Sequence, residues 1–214
     1  MSVNDRMRIV IATRSSHKLG ELAGLLRPER AELVTLDALG IEGDPVEDGV
    51  TFEANARLKA RYYARLTGLP TIADDSGIEV DALGGAPGIR TRRYAGEAAT
   101  DTQNNAKLLA ALAGLPATER GARYVCVLAF VIPDQGGPRG GLPIAAEARG
   151  TLRGRIVGEP RGRAGFGYDP IFEPLGEPPG GRTIGQQSAA EKAAISHRSR
   201  AAGRLGPRLR NLGY

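Results

Sequence analysis

The sequence is short of cysteine, tryptophan and aromatic residues in general, and each shortage excludes a class of protein. One of the 214 residues is cysteine, none is tryptophan and 5% are aromatic. A single cysteine forms no internal disulfide and no zinc site built from several thiolates. Cys126 lies in an apolar run, so we expect a buried, unreactive thiol. With so few aromatic side chains, the chain has little with which to stack on unpaired bases.

Long hydrophobic runs are also missing. No apolar run approaches the roughly 18 residues that a membrane-spanning helix needs, and the first residues lack the apolar core of a signal peptide. We therefore expect a cytoplasmic protein with no membrane partner. The composition is otherwise typical of a soluble globular fold, with 41% hydrophobic and 25% charged residues.

Positive charge is concentrated at the end of the chain. The formal net charge is +5, which suggests an anionic partner. Six basic residues and no acidic residue lie between positions 192 and 214, whereas the rest of the chain is close to neutral. A local cluster of this kind fits a small anion as well as it fits nucleic acid, so both interpretations stay open at this point.

Lysine is scarce, because only four of the 29 basic residues are lysines (Lys18, Lys59, Lys107 and Lys192). Where arginine is so strongly preferred, a retained lysine indicates a need for a compact, flexible point charge. Lys59 lies on the apolar face of a predicted helix, one turn after Asn55, where it must reach solvent or meet an anion.

The hydrophobic pattern predicts an α/β fold, with helices and strands alternating early and a long antiparallel hairpin later. Strands are predicted over residues 8–13, 70–73, 122–132 and 144–157 and near 32–36; helices are predicted over 19–26, 51–67, 101–113 and 189–210. The Gly/Pro-rich segment 133–143 connects the hairpin strands, and the last helix is expected to break at Gly206-Pro207.

Two segments carry residues suited to phosphate chemistry, and a third segment is suited to a flat ligand. Residues 13–18 leave the first strand and enter a helix, where backbone N–H groups, hydroxyls and Lys18 favour an anion, although the glycines of a Walker P-loop are absent. Asp74 and Asp75 are adjacent at the end of the predicted strand, so they point to opposite faces. Carboxylates in such a place commonly hold Mg²⁺, and Glu47 or Asp48 offers a further ligand.

The third segment, Gly165 to Pro170, places two aromatic rings between glycines, where a flat ligand can approach the backbone. Ser196-His197-Arg198 adds hydrogen-bond donors at the start of the basic terminal segment. The chain has only two histidines, which argues against a zinc hydrolase, and no Ser/His/Asp triad can be assigned.

The order of these motifs resembles that of the inosine triphosphate pyrophosphatase family, also described as Ham1-like or dITP/XTP pyrophosphatases. The matching segments are Ile11-Ala12-Thr13 with Lys18, Glu47 with Thr51 to Ala56 and Lys59-Ala60, Ile72 to Gly77, Gly84 to Gly88, Gly165 to Pro170, and Ser196 to Arg198. The resemblance extends from residue 8 almost to the end of the chain.

The resemblance implies one α/β domain over residues 1–214, with two lobes around a long mixed β-sheet with flanking helices, of the Maf/Ham1-like type. It places the active site in the cleft between the lobes and implies a homodimer. The implied reaction is hydrolysis of the purine nucleoside triphosphates ITP, dITP and XTP to the monophosphate and pyrophosphate with Mg²⁺. Deaminated purines are thereby removed from the nucleotide pool.

Roles follow by position in the family motifs. The resemblance makes Asp75 the catalytic base and a metal ligand, and Glu47 a second metal ligand. The triphosphate is assigned to Thr13, Arg14, Ser15, Ser16, His17 and Lys18, with Lys59 and Ser76 as further substrate contacts. Phe166, Gly167, Tyr168, Asp169, Lys192, His197 and Arg198 are expected around the nucleoside.

The first motif departs from the family pattern, which commonly has glycine and then asparagine where this chain has Arg14 and Ser15. Contacts of that asparagine are lost, whereas Arg14 adds charge, and activity is still expected. Two alternatives stay open: a Maf-like pyrophosphatase acting on other nucleotides, and a non-catalytic nucleic-acid-binding protein that uses the basic tail. We expect no nucleic acid partner.

Overall fold

The computed structural model describes residues 7–133 and 142–214. Within these ranges strands and helices alternate in the first half of the chain, and strands then precede two final helices. The elements are β1 (Met7–Ala12), α1 (Ser16–Leu25), β2 (Ala31–Thr35), α2 (Phe52–Thr67), β3 (Thr71–Val80), α3 (Asp101–Ala111), β4 (Gly121–Val131), β5 (Ile144–Ile156), β6 (Phe172–Pro174), α4 (Ala189–Ile195) and α5 (His197–Asn211).

The strands form one mixed sheet in the order β2-β1-β3-β4-β5-β6. Strand β1 pairs in parallel with β2 and β3, and β5 pairs antiparallel with β6. The predicted α/β class, with a mixed sheet and flanking helices, is therefore confirmed. Within the described residues, no helix combines the length and the hydropathy that crossing a membrane requires.

The described residues divide into two compact units. The first comprises residues 7–75, 126–133, 142–150 and 198–214, and the second comprises Ser76–Val125 and Thr151–His197. The chain passes from one unit to the other within β3, β4 and β5, and again between His197 and Arg198 at the start of α5.

Each unit has its own hydrophobic core. In the first, Ile9 and Ile11 of β1 and alternate residues of β4 pack with one face of α1 and of α5. Cys126 is fully buried there, as predicted, and burial raises the pKa of its thiol to about 12. In the second, Ile78, Leu108 and Phe172 belong to a cluster around β3, α3 and β6.

Two predicted element boundaries are wrong. Strand β3 does not end at residue 73 but continues to Val80, so Asp74, Asp75 and Ser76 lie inside a buried strand. The last helix does not break at Gly206-Pro207; it is interrupted at Ser196, and Pro207 lies inside α5. Strands β4 and β5 are neighbours in the sheet, but residues 134–141 of their predicted connection lie outside the described residues.

Candidate active site

The first helix begins with a side-chain cap that orders the predicted phosphate segment. The hydroxyl of Ser15 accepts a hydrogen bond from the backbone N–H of Lys18, and Thr13 Oγ1 accepts one from the N–H of Ser15, at 3.3 Å. The first turn of α1 contains no acidic residue. The positive end of the helix dipole is therefore not neutralised by its own carboxylates, which favours an anion at residues 13–18.

Lys18 is held by a buried carboxylate. Its Nζ lies 2.9 Å from Oδ2 of Asp74, whose side chain is 1% exposed, whereas the Lys18 side chain is 21% exposed. Burial alone would raise the pKa of Asp74, but the charges of Lys18, Arg198 and Lys59 outweigh it and hold that pKa well below its usual value. Asp74 therefore stays ionised and fixes the Lys18 ammonium beside the start of α1.

Asp75 belongs to a second, connected group of polar side chains. Lys59 Nζ lies 3.4 Å from Oδ1 of Asp75 and 3.1 Å from Oε2 of Glu47. The other Asp75 oxygen accepts a hydrogen bond from Asn55 Nδ2 at 3.2 Å. Asn55 and Lys59 are one turn apart on α2, so a single helical face holds both oxygens of Asp75. We call Lys18, Glu47, Lys59, Asp74 and Asp75 the acid–lysine cluster.

The two adjacent aspartates differ in their electrostatics. Burial raises the pKa of Asp75, and Lys59 and Lys18 offset this only in part. Burial alone would lower the pKa of Lys59, but Asp75, Asp74 and Glu47 raise it, so the lysine stays charged. A carboxylate with a raised pKa accepts a proton more readily than an ordinary aspartate, which suits a general base.

The cluster contains donors that fit a magnesium ion. Glu47 and Asp75 both present carboxylate oxygens to the same Lys59 ammonium, so the two carboxylates converge on one cation position. The part of the chain that the structure describes holds no group of three or more His, Cys, Asp or Glu side chains placed for a metal ion. Mg²⁺ usually takes only one or two carboxylates, together with water and substrate phosphates, so a two-carboxylate set is sufficient for it.

The predicted nucleoside residues of the second unit surround Asp169. One Asp169 oxygen accepts from the hydroxyl of Tyr124 at 3.0 Å, and the other accepts from Lys192 Nζ at 2.7 Å and from the N–H of Phe166 at 3.0 Å. The Lys192 ammonium also lies 4.3 Å from the centre of the Phe166 ring. His197 stacks on Tyr124 with ring centres 4.8 Å apart.

The loop from Gly165 to Asp169 is held at several points. Gly165 has a φ of 78°, and a Cβ there would collide with the Asp169 carboxylate, so glycine is required. The N–H of Gly167 donates to Asp101 at 2.6 Å. The Tyr168 side chain is buried and its hydroxyl donates to the carbonyl of Thr91 at 2.8 Å, which makes this ring an anchor of the loop.

Other predicted site residues lie elsewhere. The Arg14 side chain is directed at Asp37 and Asp44, at 3.0 and 3.2 Å. Arg198 belongs to the first unit, is 1% exposed, forms an ion pair with Glu21 and helps to lower the pKa of Asp74. Ser16 and His17 are exposed at the start of α1, whereas Ser76 is buried in β3.

Several residues that organise these sites were missed by sequence reasoning. They are Asn55 as the partner of Asp75, Asp44 as the partner of Arg14, and Tyr124 as the partner of Asp169. The position of Asn55 one turn before Lys59 on the same helical face was visible in the sequence, but its contact with Asp75 was not predicted. The other two are brought in by tertiary contacts between segments far apart in the chain, for which spacing gives no sign.

The α/β sheet carries a capped helix start with Lys18 and Asp74, and the buried pair Lys59 and Asp75 belongs to the same unit. Such an arrangement is typical of proteins that bind phosphate groups. Comparison with known proteins makes the assignment specific. The model of the Ham1 family matches residues 9–207. The chain belongs to the Ham1 family.

Named relatives and solved structures agree with this assignment. A dITP/XTP pyrophosphatase of Syntrophobacter fumaroxidans is 48% identical over 193 residues, which cover 90% of this chain and 78% of the relative. A HAM1 protein from Coxiella burnetii is 39% identical, with a TM-score of 0.82 over 96% of this chain and 99% of the other. A nucleoside-triphosphatase/dITP/XTP pyrophosphatase from Mycobacterium abscessus is 41% identical, with a TM-score of 0.73 over 94% and 100%.

Proposed function

We propose that this protein hydrolyses the deaminated purine nucleoside triphosphates ITP, dITP and XTP to the nucleoside monophosphate and pyrophosphate. Relatives that align with nearly the whole chain carry the name dITP/XTP pyrophosphatase. The observation that supports the proposal most strongly is the acid–lysine cluster, in which Asp75 has a raised pKa and Lys18 lies beside the capped start of α1.

The triphosphate binds at the start of α1 in this proposal. Backbone N–H groups, the hydroxyls of Thr13, Ser15 and Ser16, and the Lys18 ammonium supply donors there, with His17 nearby. These groups are fixed before substrate arrives, because Ser15 caps the helix and Asp74 holds Lys18. Donors fixed in advance stabilise the charge that develops on the phosphoryl group and the leaving pyrophosphate.

Asp75 accepts a proton from the water that attacks the α-phosphorus. Asn55 and Lys59 hold its two oxygens, and Lys59 keeps the neighbouring Glu47 close. Once that proton is transferred, the phosphorus–oxygen bond to the pyrophosphate breaks and the charge of the leaving group is met by Lys18. Catalysis is therefore chiefly positioning and electrostatic stabilisation.

Magnesium is the proposed cofactor, with Glu47 and Asp75 as its protein ligands. Mg²⁺ held by these carboxylates would act as a Lewis acid and would neutralise charge on the substrate phosphates. The ammonium of Lys59 contacts both of these carboxylates.

The nucleoside is assigned to residues of the second unit. Phe166 and Gly167 offer a ring and a backbone surface, whereas Asp169 and Tyr168 hold the loop in place. Lys192 and His197 supply hydrogen-bond donors, and Ser76 is a further substrate contact. The role of Arg198 at the nucleoside stays a prediction, because its guanidinium is buried and pairs with Glu21.

The position of bond cleavage is tested by hydrolysis of ITP in H₂¹⁸O with Mg²⁺, followed by mass spectrometry of both products. Attack at the α-phosphorus places ¹⁸O in the monophosphate and none in the pyrophosphate. Label in the pyrophosphate, or release of orthophosphate instead, would contradict the proposed reaction.

The two alternatives are less well supported. A Maf-like pyrophosphatase acting on other nucleotides disagrees with the names of the relatives. A nucleic-acid-binding protein needs a free basic tail, but Lys192 pairs with Asp169 and Arg198 with Glu21. Arg204 and Arg208 donate to backbone carbonyls of Arg149 and Glu147.

We also propose a homodimer and a cytoplasmic location, where nucleotide pools are found. The outer face of α2 offers a groove of about 860 Å³ lined by Arg61, Tyr62 and Leu66, among others. Tyr62 and Leu66 are 38% and 51% exposed. Light scattering after size exclusion should give twice the chain mass of 22.5 kDa, and a monomer at all concentrations would contradict the dimer.

A further inference from the structure

The guanidinium of Arg14 has a position and a set of contacts that the reaction described above does not use. Arg14 lies in the loop between β1 and α1, directly after Thr13. We propose that Arg14 is a positioning residue that fixes the segment 37–44 and thereby the carboxylate of Glu47, rather than a ligand of the triphosphate. This inference rests on the proposed function for the role of Glu47 as a metal ligand.

Four hydrogen bonds tie the Arg14 guanidinium to one segment of the chain. Nε donates to Asp44 at 3.2 Å and Nη1 donates to Asp37 at 3.0 Å. Nη2 donates to the carbonyls of Ile41 and Gly43, at 2.7 and 2.9 Å. An arginine has five N–H donors, so four of the five are engaged. A phosphate at this side chain would have to displace carboxylates and carbonyls that are already in place.

The same segment is held from its other side by α2. The hydroxyl of the buried Tyr63 donates to Asp44 at 2.5 Å and lies 3.2 Å from the carbonyl of Gly43. Asp44 therefore joins Arg14 to Tyr63. An exposed ion pair contributes little by itself, and Asp37 and Asp44 are largely exposed. The fixed position depends on the combination of the two carbonyls, Asp44 and the buried tyrosine.

Glu47 lies between two anchored points. Asp44 is anchored by Arg14 and Tyr63, and five residues later the N–H of Gly49 donates to Asn55 Oδ1 at 2.8 Å. A side chain at Gly49 would collide with Asn55, so the approach there is close. Because Asp44 and Gly49 are both held, the backbone of residues 45–48 can adopt few conformations between them. The Glu47 carboxylate lies 3.1 Å from Lys59 Nζ.

Loss of the Arg14 contacts should make the segment 37–44 more mobile. The Glu47 carboxylate should then occupy several positions instead of one. A residue that orients a metal ligand commonly changes metal affinity by about tenfold or more when it is lost. We therefore expect Arg14→Ala to raise the apparent Mg²⁺ constant about tenfold, with a much smaller change in KM for ITP at saturating Mg²⁺. Arg14→Lys should behave like the alanine variant, because one ammonium cannot reach four acceptors in different directions.

The direct test is hydrogen–deuterium exchange on the nucleotide-free protein, measured for peptides that cover residues 41–49. Arg14→Ala should speed exchange there and leave the peptides of β1 and β3 unchanged. The matched control is Arg27→Ala, since Arg27 is exposed, follows the end of α1 and, among the contacts described, donates only to the Gly24 carbonyl. Asp44→Asn should reproduce the Arg14→Ala result, and it serves as the test if Arg14→Ala fails to fold.

Two results would overturn the inference. Unchanged exchange at residues 41–49 in both Arg14→Ala and Asp44→Asn would show that these contacts do not hold the segment. A rise in KM for ITP with an unchanged Mg²⁺ constant would show that Arg14 contacts the triphosphate. The exchange measurement needs no substrate, so it is independent of the proposed function; absence of pyrophosphate release by the unmodified protein would instead contradict that function.

Discussion

Two neighbouring aspartates show how position along one strand decides chemistry at the scale of single residues. Asp74 and Asp75 point to opposite faces of β3. Asp74 meets Lys18 and the field of Arg198, and its pKa falls; Asp75 is dominated by burial, and its pKa rises. The first is therefore a permanent anion that holds a lysine, and the second is the group able to take up a proton.

Asp75→Asn should keep the fold and lose most of the turnover. The amide accepts no proton from water and carries no charge to hold a metal, and loss of a general base alone costs about 10² to 10⁴ in rate. Initial rates of pyrophosphate release from ITP, with thermal unfolding as the control for folding, measure this. Turnover close to that of the unmodified protein would remove Asp75 from the role of base.

The pH dependence should report the same group. In the proposed reaction Asp75 accepts a proton only when it is ionised, so kcat should fall as the pH drops through the pKa of Asp75, which burial raises above the ordinary value of about 3.9. Lys59→Met removes the nearest cation that stabilises ionised Asp75. The fall of kcat at low pH, which we call the acidic limb, should therefore move to higher pH.

Lys107→Met is the matched control, because Lys107 is an exposed lysine of α3 that contacts Tyr94 and is outside the acid–lysine cluster. Its acidic limb should coincide with that of the unmodified protein. If the limb of Lys59→Met also stayed in place, Asp75 would not be the group that titrates.

Lys18→Arg should be impaired although the charge is kept. The ammonium lies between a buried carboxylate and the start of α1, a place that suits a point charge and not a planar fork. We expect a higher KM for ITP with a smaller loss in kcat. Normal kinetics of this variant would show that the scarcity of lysine in this chain says nothing about Lys18.

At the scale of elements, helix α2 and its preceding loop bring the second carboxylate to the first. Thr51 caps the helix. Asn55 and Lys59 lie on its buried face, where Asn55 donates to Asp75 and Lys59 pairs with Glu47.

Glu47→Gln should raise the Mg²⁺ concentration needed for half-maximal activity, because the proposed second metal ligand loses its charge. Asp48→Asn is the matched control, one residue further along the same loop. Equal effects of both variants would mean that loop charge, and not ligation by Glu47, sets the metal requirement.

Elements were predicted best where hydrophobic pattern and helix capping point to the same bounds. The Thr51 cap and the end of α2 at Thr67 agree with the predicted helix. Strand β3 was cut short because Asp74, Asp75 and Ser76 are polar, and polar residues commonly end a buried strand. They continue it here because lysines from α1 and α2 neutralise the carboxylates, and those partners are tertiary contacts.

The terminal helices illustrate the opposite error. Gly206-Pro207 predicted a break, but α5 continues through Pro207. The interruption is at Ser196 instead, which has an extended backbone. Local propensity is overridden here by packing, because Ala201, Leu205 and Leu209 are buried in the core of the first unit.

At the scale of the whole molecule, net charge was a weaker guide than the distribution of charge. The basic end of the chain suggested an anionic partner, yet much of it is used internally by Asp169, Glu21 and backbone carbonyls. In the proposed function, the chemistry depends on a small number of lysines and carboxylates, and the choice of substrate depends on the purine base, because the triphosphate is the same in every candidate substrate.

That discrimination has a simple chemical basis. Hypoxanthine and xanthine present an acceptor at O6, where adenine presents an amino donor, so donors from Lys192, His197 or Arg198 would favour the oxo purines. A site built to hydrogen-bond one group can reject an analogue without it by about 10⁴-fold. Guanine shares O6 and must be excluded at its 2-amino group, since stacking on Phe166 does not distinguish purines.

Preference for deaminated purines is tested by measuring kcat/KM for pyrophosphate release from ITP, dITP, XTP, GTP and ATP under one set of conditions with Mg²⁺. We expect values for ITP, dITP and XTP far above those for GTP and ATP. Comparable hydrolysis of all five would contradict the assignment to deaminated purines, and no pyrophosphate from any of them would contradict the proposed reaction itself.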